Sequence, residues 1–310
     1  MAMHKDFPSS PHEILNPEVR WFPADETLRE TSYEKLMPPL VPELRQQVFS
    51  WRKSGYPNIS KTSQTLLNWW FNTKHSFYQE NGEVINFEYY FAQRESVETV
   101  IYLHENVKVK DKYDLLRFDK RGSVPSKLIE ETWRRYVVKM ATGSGKTKAI
   151  SLLLAWSYFH KKYEPGSDLS KNFLIIAPNI IVLDRLRTDF DGLKIFSDDP
   201  VLPENGTNGR NWRTDFQLTL HIQDELGPIN SNGNIFLTNI HRVYDKKSII
   251  PCADDENSMD YFLGEKPKGK ISKSVIDLGD IVRKIDEIIV INDEAHHIHD
   301  SKLSWFKSIA

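Results

Sequence analysis

The segment Ala141-Thr142-Gly143-Ser144-Gly145-Lys146-Thr147 constrains the chain more than any other, because a glycine-spaced loop ending in Lys-Thr has few physical uses. Gly143 and Gly145 let the backbone turn tightly, so that successive N–H groups point inward around a phosphate. Thr142 and Ser144 complete the cradle, while Lys146 and the Thr147 hydroxyl can reach the terminal phosphates and a Mg²⁺ ion. Far downstream, Asp293-Glu294-Ala295-His296-His297 supplies what such a loop lacks. Asp293 can hold the metal, commonly through water, and Glu294 can orient or deprotonate an attacking water. Lys146, Asp293 and Glu294 are therefore the candidate catalytic residues, with Thr147 and Asp293 as metal ligands.

The flanks place both motifs in an α/β sheet. Tyr136-Val137-Val138-Lys139-Met140 predicts a short buried strand entering the loop, and Lys148-Ala149-Ile150-Ser151-Leu152-Leu153-Leu154-Ala155-Trp156 predicts a helix leaving it. Ile288-Ile289-Val290-Ile291-Asn292 predicts a further strand, with Asp293 at its C-terminal end, the end at which parallel α/β sheets bind ligands.

Composition removes several classes of function. With 310 residues, 39% hydrophobic and 27% charged, the chain can bury the core of one large or two ordinary domains. A single cysteine, Cys252, excludes an intramolecular disulfide and fits a reducing cytoplasm, and the polar start carries no signal-peptide core. No apolar run reaches the length of a membrane span. The net charge of −2 is not the basic footprint of a dedicated nucleic-acid-binding domain, so a nucleic-acid partner would be held by a few local contacts.

Taken together, Gly143-Ser144-Gly145-Lys146-Thr147 and Asp-Glu-Ala-His-His resemble motifs I and II of superfamily 2 DEAD/DEAH-box helicases. The intervening chain contains Phe173-Leu174-Ile175-Ile176-Ala177-Pro178-Asn179, Asp184-Arg185-Leu186-Arg187 and Ile235-Phe236-Leu237-Thr238-Asn239. It is most similar to the N-terminal portion of the Res subunit of type III restriction enzymes, strongly from Phe87 onward. Met140 stands where the general phosphate-loop pattern has glycine, a departure that the superfamily 2 variant shares.

The resemblance implies a P-loop RecA-like parallel sheet flanked by helices over residues 85–310, preceded by a mostly helical, aromatic-rich region over residues 1–84. It implies an ATP-dependent DNA translocase or helicase with Mg²⁺, RNA being the other polynucleotide such motors track, and a Mod-like methyltransferase partner. Gln93 would read the adenine edge, since one amide offers the donor and acceptor adenine needs; the plainer alternative is a surface glutamine at a helix start. His297 would sense the γ-phosphate. Asn179, Thr238 and Asn239 would grip a strand's backbone, against ordinary strand-end turn residues. Motif III, a second RecA-like domain and an endonuclease domain are not in the sequence, so the chain is expected to be part of a longer protein, with weak MgATP binding and negligible turnover alone. A regulatory NTP-binding switch without nucleic acid is the rival reading.

Other features read more plainly. Leu66-Leu67-Asn68-Trp69-Trp70-Phe71 predicts core packing ahead of a base-stacking platform. Lys108, Lys110, Lys112, Arg117, Lys120 and Arg121, interleaved with acids, predict a solvated face ahead of a phosphate track. His296, His297 and His299 lack the spacing of a zinc site, and Asp245-Lys246-Lys247 has no upstream acid to make a nuclease. Phe216-Gln217-Leu218-Thr219-Leu220 predicts a strand, and residues 251–280 a surface insertion.

Overall fold

The computed structural model describes residues 10–14, 16, 17, 31, 37–78, 81–122, 136–223, 225, 227–239 and 285–293. Its helices are α1 (Val41–Lys53), α2 (Lys61–Asn72), α3 (Phe91–Ile101), α4 (Lys112–Leu115), α5 (Lys146–Tyr163), α6 (Ile180–Phe190), α7 (Ile195–Asp198) and α8 (Trp212–Asp215). Its strands are β1 (His75–Tyr78), β2 (Val84–Phe87), β3 (Asn172–Ala177), β4 (Thr219–Ile222), β5 (Asn234–Asn239) and β6 (Ile289–Asn292). The chain divides into two compact units, Met1–Trp156 and Ser157–Ala310. That division falls inside α5, whereas the sequence suggests a boundary after residue 84.

In the first unit, local chemistry sets the helix starts. Pro42 occupies the first turn of α1, where its missing N–H costs nothing. Ser60 caps α2 by accepting the Ser63 N–H at 3.1 Å. Leu66, Leu67 and Trp70 of α2 are buried with Val48 and Trp51 of α1 and Val97 and Ile101 of α3, which settles the apolar run at residues 66–71 as core at those positions. Each such side chain contributes roughly 1.5–3 kcal/mol. After Ile101 the helix widens into a π-helical turn, Tyr102–Asn106.

Two polar clusters fasten this unit internally. Glu98, fully buried, accepts from Arg52 Nε at 2.7 Å, from the Tyr56 hydroxyl at 2.6 Å and from Arg94 Nε at 2.8 Å. Burial, and then the charge of Glu98, push the Tyr56 phenol above its ordinary value. Glu105, in the π-helical turn, accepts from the Ser60 N–H at 2.7 Å and from the Ser63 hydroxyl. Trp156 of α5 donates to Ser63 Oγ at 2.7 Å and to Glu105 at 3.1 Å, so the helix that follows the glycine-rich loop is tied to the start of α2.

An antiparallel hairpin, β1 with β2 in register His75↔Phe87, lies between α2 and α3 in the chain. Its one local mark in the sequence is Asn81-Gly82, a hairpin-turn signal, with Gly82 at φ 83°. The strand predicted at residues 136–140 is absent. These residues pair with no described strand, and Val137 and Val138 are 63% and 42% exposed. An apolar run becomes a strand only where a neighbour takes up its ladder hydrogen bonds, and among the described residues none does so.

The second unit is built on a parallel sheet in the order β4-β5-β3-β6. β3 and β5 are buried along nearly their whole length around the apolar stretches Phe173–Ala177 and Ile235–Leu237, as expected of central parallel strands. β4 starts three residues later than predicted. Phe216 instead packs its ring against Tyr158 and Phe196, with centroids 5.0 and 4.8 Å apart, and Gln217 gives its N–H to the Tyr158 hydroxyl at 3.1 Å. α6 follows β3 directly, packing Leu183, Leu186 and Phe190 inward.

Candidate functional site

In the first unit the glycine-rich loop is formed by backbone geometry. Gly143 and Gly145 both lie in the left-handed region, at φ 79° and 81°, where a side chain would be strained. Ser144 stands between them, its N–H 3.3 Å and its hydroxyl 2.6 Å from the Ala141 carbonyl, which closes the turn. Immediately after it, α5 begins at Lys146. The first N–H groups of a helix have no intrahelical acceptor and carry the positive end of the helix dipole, so Lys146 and Thr147 open an 18-residue helix at an anion-attracting end. Lys148 has its ammonium 5.1 Å from the Phe87 ring.

Gln93 sits in the first turn of α3 and is 3% exposed. Its Oε1 accepts the Tyr90 N–H at 2.9 Å, and its Nε2 donates to the Ser144 carbonyl at 3.1 Å. These partners fix which end of the amide is which, since a backbone N–H needs the oxygen and a carbonyl needs the nitrogen. A Cβ added at Gly145 would lie 2.1 Å from Gln93 Nε2, so a side chain there would displace the glutamine amide, and φ 81° is what requires glycine. Sequence reasoning finds Gln93 and the loop separately, but not this contact.

In the second unit, all four strands run parallel and so bring their C-terminal ends to one edge. Asp293 follows β6 there, its N–H bonded to the Ile176 carbonyl at 3.1 Å, and it is 6% exposed. Asn179 and Asn239 end on the same edge, after β3 and in β5, with Ala177 paired to Asn239 in register. Their side chains hold local structure. Asn179 Oδ1 accepts the Val182 N–H at 2.9 Å and caps α6. Thr238 is fully buried, its hydroxyl 3.2 Å from the Asn239 carbonyl, and the Asn239 N–H bonds Gln223 Oε1 at 3.1 Å. Glu294 and His297, with His296 and His299, lie outside the described residues, as do Asp245 and residues 251–280.

Arg185 stands out in the sequence only within the string Asp184-Arg185-Leu186-Arg187, yet its guanidinium stands 3.6 Å from the Asp293 carboxylate. No sequence signal separates it from Arg187, which pairs instead with Glu225 at 2.5 Å.

The residues present fit a nucleoside triphosphate and Mg²⁺ by donor chemistry. The loop offers N–H groups, a hydroxyl and a lysine to phosphate oxygens. Within the first unit the Thr147 hydroxyl, and within the second the Asp293 carboxylate, are each oxygens of the hard kind that Mg²⁺ selects. Among the described residues no helix is long and apolar enough to cross a membrane.

No curated protein and no solved structure matches the chain. Residues 86–310, more than half of its length, match the family described as type III restriction enzyme, Res subunit. The match takes in the glycine-rich loop, the parallel sheet and Asp293, and the chain belongs to the type III restriction enzyme Res-subunit family.

Proposed function

We propose that the chain is the nucleotide-binding part of an ATP-dependent DNA translocase or helicase motor serving a type III restriction-like system in the cytoplasm. The observation that carries this reading is the loop of residues 141–147, with Gly143 and Gly145 both left-handed at the head of α5, in a chain of the Res-subunit family. Lys146 and Thr147 would hold the β- and γ-phosphates and Mg²⁺, with Thr142, Gly143, Ser144 and Gly145 supplying the cradle around them. Asp293 would complete the metal's oxygen ligands, Glu294 would orient the attacking water, and His297 would respond to the γ-phosphate. Gln93 belongs to the same nucleotide site.

Mg²⁺, when bound, neutralises charge on the phosphate oxygens as the terminal phosphoryl group leaves. DNA would be gripped along its phosphodiester backbone at the sheet edge carrying Asn179, Thr238 and Asn239. Since Asn179 caps α6, Thr238 and Asn239 are buried, and the Asn239 N–H is given to Gln223, the grip would come from other groups along this edge. A Mod-like methyltransferase would supply recognition of the DNA site.

The experiment is ATP hydrolysis by the complete gene product, with and without duplex DNA, beside Lys146→Ala and Glu294→Gln. DNA-stimulated hydrolysis abolished by both substitutions is expected. Stimulation by RNA alone would move the substrate to RNA, hydrolysis indifferent to either would leave a regulatory NTP switch, and no hydrolysis would sink the motor.

A further inference from the structure

We propose that Gln93 is a positioning residue for the phosphate loop, governing how the triphosphate is held and not which base it carries. The inference rests on the nucleotide-binding reading above and gives Gln93 a different contact from the adenine edge that resemblance implies. Both ends of its amide are engaged within the protein, at 2.9 Å to the Tyr90 N–H and 3.1 Å to the Ser144 carbonyl. Reading adenine requires that same donor and acceptor to face the ligand, and a side chain 3% exposed offers neither.

What the contact does follows from peptide geometry. The Ser144–Gly145 peptide is trans, and in a planar trans peptide the C=O and the following N–H point in opposite directions. By drawing the Ser144 carbonyl toward α3, Gln93 turns the Gly145 N–H to the opposite face of the loop. The peptide's direction is set by ψ of Ser144 and φ of Gly145, and a glycine at 145 tolerates φ of either sign, so its own sterics do not fix that direction. One hydrogen bond therefore selects the orientation of a phosphate donor. The glycine at 145 lets Gln93 come that close, since a Cβ there would lie 2.1 Å from Nε2.

Two substitutions separate this role from folding and from base recognition. Gln93→Ala removes both bonds. Gln93→Glu keeps an acceptor for the Tyr90 N–H, and so the helix cap, but sets a carboxylate against the Ser144 carbonyl. Dissociation constants for MgATP, MgGTP and magnesium tripolyphosphate, which has no base, are measured for the wild-type chain, both variants and Lys146→Ala. Hydrogen exchange of the 141–147 peptide is followed without ligand.

Each Gln93 variant is expected to weaken all three ligands by one common factor, roughly three- to tenfold, and to speed exchange across the loop. Loss confined to MgATP, with tripolyphosphate and loop exchange unchanged, would overturn the proposal and return Gln93 to the base. Unchanged exchange in Gln93→Glu would overturn it as well, including where Gln93→Ala fails to fold. If the wild-type chain binds none of the three ligands, the nucleotide reading fails, and the exchange measurement still decides whether Gln93 holds the loop.

Discussion

The Arg185 guanidinium stands 3.6 Å from the Asp293 carboxylate, with Asp293 almost fully covered and the Arg185 side chain 58% exposed. The pair thus joins a buried anion to a cation that remains largely in water. In the metal-binding reading of Asp293 the two cations compete for one carboxylate, because a divalent ion and a guanidinium cannot both take its oxygens at full strength. Because the guanidinium lies largely in water, its hold on the carboxylate is on the order of 1 kcal/mol, which a bound Mg²⁺ would have to overcome.

Arg185→Gln is therefore expected to tighten divalent-ion binding by up to about fivefold, the factor that follows from about 1 kcal/mol. Binding of Mn²⁺ followed by its electron paramagnetic resonance signal, in the presence of ATP, measures this directly. Asp293→Asn should abolish the bound signal. Weaker Mn²⁺ binding in Arg185→Gln would instead show that the arginine orients the carboxylate for the metal.

Glu98 has no exposed surface and accepts hydrogen bonds from two arginines and a tyrosine. Removing one member of a buried charge network costs far more than its net contribution, because the remaining charges stay buried without compensation. Glu98→Gln is expected to destabilise the first unit by about 3 kcal/mol, read as a shift in the urea midpoint. A loss below about 1 kcal/mol would mean that water or Glu95, 2.7 Å from Arg52, already satisfies the cluster.

The Tyr56 phenol belongs to the same cluster, and its folded value is raised by burial and then by Glu98. As pH rises past about 10, the ordinary phenol value, the unfolded chain gives up this proton while the folded chain keeps it. The unfolded state then binds fewer protons, so unfolding free energy falls with pH; the contribution is complete below about pH 10 and is lost above it. Tyr56→Phe has no such proton. Its stability should fall less steeply between about pH 9 and pH 11 than that of the wild type, as followed by urea titration at each pH. Identical alkaline slopes would contradict the assignment.

The legible parts of the fold are those whose signal is local. Phe173–Ala177 is an unbroken apolar run of strand length, Ile235–Leu237 is a shorter one ending in Thr238-Asn239, and both lie in buried strands of the sheet. The glycine-rich loop was legible because left-handed φ values leave their mark as glycine. The run at Tyr136–Met140 misled because composition reports what a segment could bury, not whether a neighbouring strand accepts it. Phe77, Val84 and Ile85 of the hairpin are 37%, 53% and 46% exposed, so their pattern follows no core, and only Asn81-Gly82 marked the turn. Contacts such as Gln93 with Ser144, or Arg52 with Glu98, join residues distant in sequence, and no local pattern encodes them.

Gly145 and Gln93 form a pair whose coupling can be measured. Gly145→Ala introduces two faults at once. A residue with a Cβ at φ 81° bears roughly 1–2 kcal/mol of strain, and that Cβ meets Gln93 Nε2 at 2.1 Å, which forces the glutamine off the Ser144 carbonyl. Gln93→Ala then has little left to remove in a chain that already carries alanine at 145. The two substitutions should weaken tripolyphosphate binding separately, and in the double variant by clearly less than the product of the single effects. A coupling of about 1 kcal/mol is expected in this cycle, since the two side chains touch and share one hydrogen bond. Strictly multiplicative effects would mean that Gln93 and Gly145 act on the loop independently, and the 3.1 Å contact with Ser144 would then be packing without consequence for the phosphates.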